Sequence, residues 1–113
     1  MTNFQTGRRA EAAAAVYLAR EGYRILEQNW RTRYCEIDIV AERESTVYLV
    51  EVKYRANKSY GSGLDYITAQ KLRQMVFAAR FWVAKRAWSG DFGIAAVSVS
   101  GQDFMIEELC VIY

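Results

Sequence analysis

Residues 35–53 contain two short runs in which apolar and polar side chains alternate, and this alternation constrains the fold more than any other feature of the chain. The runs are residues 35–40 (CEIDIV) and 48–53 (YLVEVK). Because alternation at period two and β-branched residues are typical of strands, each run is predicted to be a strand. The charged connection between them, residues 42–45, is short, which favours an antiparallel hairpin.

A turn centred between Glu44 and Ser45 would determine which residues face each other across this hairpin. The predicted pairs are Ile37–Val52, Ile39–Val50 and Ala41–Tyr48 on one face, and Val40–Leu49, Asp38–Glu51 and Glu36–Lys53 on the other. The first face is wholly apolar, whereas the second opposes two carboxylates, a pairing that is normally avoided because like charges repel. Since the hairpin is apolar on both faces near its tip, it is expected to lie in the middle of a layered domain.

Crowded carboxylates in such a place require a proton, a basic neighbour or a metal ion. Oxygen ligands suit a hard cation such as Mg²⁺ or Mn²⁺. Lys53 lies two residues from Glu51, so both side chains are predicted on one face. Metal-binding acids beside an ammonium group are what phosphodiester hydrolysis requires. The alternative is a solvated sheet face with a chance cluster of charges, and the pattern alone leaves both interpretations open.

Composition limits the chemistry that this chain can perform. Its 113 residues suffice for one domain, predicted to span residues 1–113, and its net charge of +2 does not by itself indicate nucleic-acid binding. The chain has no histidine, which excludes Ser-His-Asp catalysis and histidine-ligated zinc. Cys35 and Cys110 lack metal-ligand spacing and are expected to be reduced thiols. No signal peptide or membrane span is recognisable, so the expected location is the cytoplasm, away from membranes.

A helix is predicted over residues 6–20, with Thr6 as its N-cap and Gly22 just beyond its end. Glu11 falls on the inward stripe of this helix, with Ala14 and Leu18. One interpretation is that Glu11 belongs to a functional site. The alternative, which the helix pattern by itself favours, is a first-turn acid stabilised by the helix dipole.

A second helix is predicted over residues 67–87, with Thr68 as a cap. Its predicted core stripe is Leu72, Met75, Val76, Ala79 and Val83. Phe77, Phe81 and Trp82 extend the apolar surface beyond that stripe, which indicates either a large core or a partner surface such as a homodimer interface.

The remaining segments are predicted from shorter patterns. Strands are expected over residues 23–30, 93–99 and 104–112, with a basic link at residues 31–33. Between the central hairpin and the second helix, residues 54–63 interleave Arg55 and Lys58 with Tyr54 and Tyr60. Such a loop can follow a phosphate backbone and stack on bases, although solvated loops carry these residues for no such reason.

Several segments together, in their order along the chain, resemble the small bacterial YraN family. They are Gly7-Arg8-Arg9-Ala10-Glu11, Gly22-Tyr23-Arg24-Ile25-Leu26, Asn29-Trp30-Arg31, Glu36-Ile37-Asp38, Val50-Glu51-Val52-Lys53, Arg55, Gly61 and Lys71. That family in turn resembles restriction-endonuclease-like nucleases of the PD-(D/E)XK type, especially the archaeal Holliday junction resolvases.

The resemblance implies a role for each matching residue. Asp38 and Glu51 correspond to acids that hold a divalent metal, Mg²⁺ or Mn²⁺, and Lys53 to the lysine that activates water and stabilises charge. Glu11 corresponds to a helix acid that completes such a site, and Glu36 would assist the metal or bind Lys53. The residues expected to contact DNA are Arg8, Arg9, Arg33, Arg55, Lys58, Tyr60 and Lys71.

Two positions depart from the family pattern. Cys35 stands where the family usually has glycine, and Gly93 where a later strand often has an aspartate. The proline of the nuclease signature is also absent, as it commonly is. Neither departure removes an expected metal ligand.

The sequence therefore predicts an α/β fold, with a restriction-endonuclease-like mixed central β-sheet flanked by helices. The expected function is a metal-dependent DNA endonuclease, directed to branched or junction DNA in recombination or repair. Two alternatives stay open. One is a nucleic-acid binding module that keeps the nuclease scaffold without turnover, and the other is a protein adaptor that uses the aromatic surface of the second helix.

Overall fold

A computed structural model describes residues 1–56 and 67–113 of the chain. Lys58, Tyr60 and Gly61 therefore lie outside the described residues. The helices and strands in chain order are α1 (Asn3–Arg20), β1 (Arg24–Arg31), β2 (Glu36–Arg43), β3 (Thr46–Arg55), α2 (Ala69–Lys85), β4 (Asp91–Ser100) and β5 (Met105–Val111).

The strands form one sheet in the order β1-β2-β3-β4-β5. The β3–β4 pair is parallel and the other three pairs are antiparallel. Helix α2 lies in the chain between the two parallel strands, as expected because a parallel pair needs a long crossover connection. This mixed sheet with two helices confirms the predicted α/β class and is consistent with a restriction-endonuclease-like arrangement.

A helix covers each face of the sheet. Ala14 and Leu18 of α1 pack in a core cluster with Ile39 and Val50. On the other face, α2 contributes to a second cluster that includes Met75, Ala79, Val40, Leu49 and Ile94. Because β2 and β3 contribute fully buried residues to both clusters, the central hairpin lies in the interior of the layered structure, as predicted.

The turn of the central hairpin lies where the sequence predicts it. Glu44 and Ser45 have φ angles of 51° and 64°, the left-handed pair that a two-residue type I′ turn requires. The observed ladder pairs Ile39–Val50, Val40–Leu49 and Ala41–Tyr48 as expected.

The predicted pairing is wrong beyond Ile39–Val50, where the ladder between β2 and β3 ends. From there β2 continues beside β1, and β3 continues beside β4. Ile37 packs in the α2 cluster, whereas Ile39 packs in the α1 cluster, although two such residues would share a face in a regular strand. The alternation of β2 is therefore interrupted between them, at Asp38.

The start of α1 corrects a second prediction. The helix begins at Asn3, and its N-cap is Thr2, whose hydroxyl accepts from the N–H of Gln5 at 3.1 Å while the Gln5 side chain accepts from the N–H of Thr2. This reciprocal capping box satisfies the exposed N–H groups four residues earlier than the Thr6 cap would. The predicted end is confirmed, because Gly22 has a φ of 93°.

Helix α2 begins after the predicted cap and then divides its aromatic residues between two sides. Thr68 accepts from the N–H of Lys71 at 3.0 Å. Trp82 is 3% exposed and belongs to the core, so for this residue the large-core interpretation holds. Phe77 and Phe81 do face outward, with exposed fractions of 61% and 49%.

The entry into β4 passes directly under the hairpin turn. The N–H of Asp91 donates to the carbonyl oxygen of Ser45 at 3.0 Å, and a Cβ at Gly90 would lie 2.0 Å from the same oxygen. Only glycine fits this crossing without displacing backbone.

We expect Gly90→Ala to lower the free energy of unfolding by about 1–3 kcal/mol, because the added methyl group must displace the turn. The matched control is Gly7→Ala in α1, where a Cβ would meet nothing within 4 Å. That substitution should raise stability by about 0.5–1 kcal/mol, since alanine favours the helix. Urea denaturation of the three proteins measures both effects, and equal stability of the two variants would contradict the close approach at Gly90.

Candidate functional site

The candidate site is centred on Asp38, where β2 and β3 part. The N–H of Val52 donates to Asp38 Oδ2 at 2.7 Å, so a carboxylate takes the place of a carbonyl from the neighbouring strand. On the other side of β2, the Gln28–Ile39 and Trp30–Ile37 pairs flank Asn29, whose φ is 53°. Asparagine is one of the few residues that tolerate this left-handed conformation. The interrupted alternation of β2 at Asp38 and the left-handed conformation of Asn29 in β1 occur at the same level of the sheet. Together they put the Asp38 carboxylate between β2 and β3.

Glu51 lies next to this gap and is held between two ammonium groups. It is only 8% exposed. Its Oε1 lies 3.6 Å from Lys53 Nζ, and its Oε2 lies 3.5 Å from Lys71 Nζ. Lys53 shares the sheet face because it is two residues along β3, and Lys71 reaches Glu51 from the first turn of α2. Within the described part of the chain, Glu51 Oε2 is buried and has no hydrogen-bond partner, so this oxygen retains a free acceptor site.

The electrostatics of Asp38 reflect this crowding. Burial, followed by the charge of Glu51, raises the pKa of Asp38 to about 7, and the charges of Glu11 and Glu36 act in the same direction. The hydrogen bond from Val52 opposes the increase. Burial also raises the pKa of Glu11. Near neutral pH, Asp38 therefore exchanges a proton that a cation could replace.

Glu11 approaches the same acids from α1. It lies in the third turn of the helix, and the first turn contains no acidic residue, so the alternative of a first-turn acid is wrong. In the amide orientation that satisfies its donor and its acceptor, Asn29 donates to Glu11 at 2.9 Å and to Glu36 at 3.2 Å and accepts from Arg8 at 2.7 Å. Asn29 thus joins two acids and a base across the α1 side of the sheet.

Glu36 has a different partner from the one expected. Its carboxylate lies 3.3 Å from Nε of Arg31, whereas Lys53 pairs with Glu51. The predicted contact between Glu36 and Lys53 is therefore wrong, because the β2–β3 ladder ends before those two residues. A cleft of about 260 Å³ opens beside Glu36, and its lining includes Gly7, Arg8, Glu11, Asn29 and Arg31.

The predicted DNA-contacting residues are distributed over several surfaces. Arg8 and Lys71 join the acids described above. The Arg9 guanidinium lies 5.0 Å from the centre of the Phe104 ring, and that of Arg33 lies 5.8 Å from the centre of the Tyr34 ring. Arg55 is exposed at the end of β3. The structure therefore brings two of these basic residues to the acidic cluster and places the other three elsewhere.

The donor set suits a hard divalent cation only in part. Among residues 1–56 and 67–113, no group of three or more Cys, Asp or Glu side chains is already arranged to hold a metal ion. Two observations favour a site for Mg²⁺ or Mn²⁺ held by Asp38 and Glu51. One is the repulsion between these carboxylates, and the other is the buried Glu51 oxygen without a hydrogen bond. Glu11 is close enough to Asp38 to affect its pKa and would support such an ion from the α1 side.

Ser98 is a site residue that the sequence analysis missed. It pairs with Lys53 in the parallel β3–β4 ladder and is 4% exposed. Among the described residues its hydroxyl has no hydrogen-bond partner, so it can donate to a ligand beside Lys53. The signal was two serines, Ser98 and Ser100, at period two in an otherwise apolar strand.

The structure explains why Gly93 departs from the family pattern, and it shows the contacts of Cys35, the other residue that departs from it. A Cβ at Gly93 would lie 2.8 Å from the carbonyl oxygen of Tyr113 and 3.1 Å from the ring of Tyr48, so an aspartate would not fit there without rearrangement. Cys35 closes the β1–β2 turn, where its N–H donates to the Thr32 hydroxyl at 3.1 Å. Cys35 and Cys110 both carry free thiols, as expected.

No helix within the described ranges is long and apolar enough to cross a bilayer.

Comparison with known proteins identifies relatives that match most of the chain. The model of a family described as "Uncharacterised protein family UPF0102" matches residues 10–99. A UPF0102 protein of Vibrio campbellii is 38% identical over 104 residues, covering 88% of this chain and 85% of the relative. One from Geobacter metallireducens is 39% identical over 110 residues, covering 95% and 90%. One from Mycobacterium avium is 42% identical over 93 residues, covering 79% and 73%.

The pKa of Asp38 predicts how stability depends on pH without metal. Because the folded chain binds this proton more tightly than the unfolded chain, the free energy of unfolding should fall as pH rises from about 4 to about 7. Asp38→Asn removes the titration and keeps an acceptor for Val52. With a chelator present, it should raise the free energy of unfolding above pH 7 by about 2–4 kcal/mol and have little effect near pH 4.

Urea denaturation at several pH values measures this difference. The matched control is Asp103→Asn, at an exposed position, which should change stability by less than about 0.5 kcal/mol throughout. A loss of stability in Asp38→Asn at pH 8 would show that the folded protein favours the charged carboxylate.

Proposed function

The chain belongs to the uncharacterised protein family UPF0102, as its resemblance to YraN-type proteins predicted, and we propose that it is a metal-dependent DNA endonuclease. The observation that supports this most strongly is the pairing of two conflicting carboxylates, Asp38 and Glu51, with two ammonium groups. Lys53 and Lys71, which are both partly exposed, lie 3.6 and 3.5 Å from the oxygens of the buried Glu51. Packing of the core alone would not require these two carboxylates and two ammonium groups.

In the proposed reaction, water attacks the phosphorus of a DNA phosphodiester and loses a proton to solvent. The P–O bond to one sugar breaks, and the leaving oxygen takes up a proton from solvent, which gives a phosphate monoester and a free hydroxyl. Mg²⁺ or Mn²⁺ held by Asp38 and Glu51 would supply Lewis-acid stabilisation of the developing negative charge and a more acidic water. Lys53 orients the attacking water and stabilises charge on the pentacovalent state. Lys71, which lies beside the other oxygen of Glu51, adds positive charge to the site.

The α1 side of the site has a positioning role. Asn29 holds Glu11 beside Asp38 and holds Arg8 beside the 260 Å³ cleft. Because Arg8 and Arg31 in the lining of this cleft are exposed, whereas Glu11 and Glu36 are half-buried, a DNA phosphate would contact the two arginines before it reaches the carboxylates. A preference for branched or junction DNA, in recombination or repair, rests on the resemblance to the junction resolvases.

A second candidate is a nucleic-acid binding module that has kept this scaffold without cleavage. It is favoured by one observation, namely that within the described residues no three ligands are already grouped for a metal. In this case Lys53 and Lys71 would serve to neutralise Glu51, and salt-sensitive DNA binding would need no metal.

Nicking of a labelled four-way junction, compared with a linear duplex of matched sequence, tests the proposal. With Mn²⁺ or Mg²⁺ we expect cleavage that a chelator abolishes. Glu51→Gln and Lys53→Met should each lower the single-turnover rate by about 100- to 1,000-fold, because each removes a group that stabilises the transition state.

The matched control is Arg24→Gln. Arg24 is exposed and pairs with Glu42 at 2.8 Å, near the hairpin turn, and its loss changes the net charge as Lys53→Met does. The control should cleave at the parent rate. Cleavage that persists in both site variants would exclude this mechanism, whereas metal-independent binding without cleavage of either substrate would identify the binding module.

A further inference from the structure

The outward side of α2 carries a line of four side chains, two aromatic ones between two charged ones, that belongs to neither core cluster. Arg73, Phe77, Phe81 and Lys85 follow one another at four-residue intervals, so they lie along one line of the helix surface. All four are exposed, and Phe77 and Phe81 are 61% and 49% exposed. We call these four residues the α2 ridge.

The rings of the ridge are held in place by aromatic residues at the end of the β1–β2 hairpin. The Phe81 ring stacks on Trp30 with the ring centres 6.3 Å apart and the planes 23° apart. The Phe77 ring lies 5.6 Å from that of Tyr34. At one end of the ridge, Lys85 Nζ lies 5.8 Å from the centre of the Phe81 ring. Ordered rings flanked by cations make a platform on which flat aromatic ligands can stack.

Charge determines what this platform would bind. Helix α2 contains no acidic residue, and its basic residues are Lys71, Arg73, Arg80 and Lys85. A second copy of the chain docked through the same face would oppose these like charges. An apolar partner helix would bury Arg73 and Lys85 without a counter-charge. A ligand chain that carries both flat rings and negative charges would contact both the aromatic and the basic residues of the α2 ridge.

A cleft beside Phe77 fits the same kind of ligand. It has a volume of about 320 Å³ and is lined by Leu72, Val76, Phe77 and Tyr113, with Arg73 and Arg80 also in its lining. An apolar aromatic wall with guanidinium groups is suited to a base and its phosphate.

We propose that the α2 ridge binds an unpaired segment of single-stranded DNA, with bases stacked on Phe77 and Phe81 and phosphates at Arg73, Arg80 and Lys85. The ridge adjoins the candidate site, because Tyr34 directly precedes Cys35 and Glu36, and because Lys71 reaches Glu51 from the first turn of the same helix. This inference rests on the proposed function and narrows it, since the preferred substrate would carry a single-stranded segment next to the cleaved phosphodiester.

The test measures binding with a chelator present, so it does not depend on cleavage. Fluorescence anisotropy of a labelled oligothymidine, compared with a duplex of the same length, gives the two affinities. Phe77→Ala and Phe81→Ala should each weaken single-strand binding by about tenfold and leave duplex binding within a factor of about two. Phe77→Tyr and Phe81→Tyr retain flat rings and should bind single strands like the parent.

The matched control is Met105→Ala, which truncates a side chain that is 62% exposed on β5. It should leave both affinities unchanged. Unchanged single-strand affinity in Phe77→Ala and Phe81→Ala would overturn the proposal. A parent dimer that dissociates in these variants would also overturn it, because the ridge would then be an interface between copies. Tighter binding of an RNA oligonucleotide of matched sequence would overturn the assignment to DNA.

The two proposals fail separately. If Phe77→Ala and Phe81→Ala bind single strands like the parent, the nuclease proposal still stands, provided that Glu51→Gln abolishes nicking. Conversely, single-strand binding that depends on Phe77 and Phe81, in a protein that cleaves nothing, supports the ridge and assigns it to a binding module.

Discussion

The hydrogen bond from the Val52 N–H to the Asp38 carboxylate, at 2.7 Å, is the interaction on which the candidate site depends. It lies where the β2–β3 ladder ends, in the interior of the structure. A buried N–H without a partner would cost about 1–3 kcal/mol, and a side-chain oxygen here replaces the lost strand partner. The same bond holds Asp38 close to Glu51, two residues that would repel each other if both were charged. The bond that satisfies the Val52 N–H therefore also keeps the acids crowded. Burial, followed by the charge of Glu51, raises the pKa of Asp38 to about 7, although the hydrogen bond itself acts in the opposite direction.

The layered fold brings side chains to this place from both sides. Helix α1 packs its small residues closely against the sheet and directs Glu11 toward Asp38, whereas α2 directs Lys71 toward Glu51. Because each face of the sheet is covered by a helix, the acids are partly withdrawn from water and their interactions are stronger than they would be on a solvated surface. Sites of this kind, in which the fold maintains a local electrostatic conflict, are typical of function rather than of packing.

Helix α2 shows how one apolar run can serve two purposes. Trp82 is buried, and its indole N–H donates to Glu27 at 2.6 Å, on a carboxylate that also pairs with Arg86 at 2.6 Å. Phe81, one residue earlier, points to solvent and stacks on Trp30. The same helix thus contributes to the core, carries a lysine to the site and presents an aromatic ridge. Composition alone cannot separate the core role of Trp82 from the surface role of Phe77 and Phe81, because these three aromatic side chains are chemically similar and only the phase of the helix distinguishes them.

The sequence by itself determined the α/β class, the central hairpin with its turn and the register of its tip, the end of α1 at Gly22, the cap of α2 at Thr68 and the family. These features follow from local patterns, namely period two, turn geometry and helix termini, which neighbouring residues control. It also indicated the central acids and Lys53. Only the tertiary structure decided that Ile37 changes face, that Asn29 joins Glu11 to Glu36, that Glu36 pairs with Arg31 and that Ser98 lies beside Lys53. Each of these depends on where the β2–β3 ladder stops and on how α1 packs against it. Those are contacts between residues distant in the chain, for which a single sequence carries no local signal.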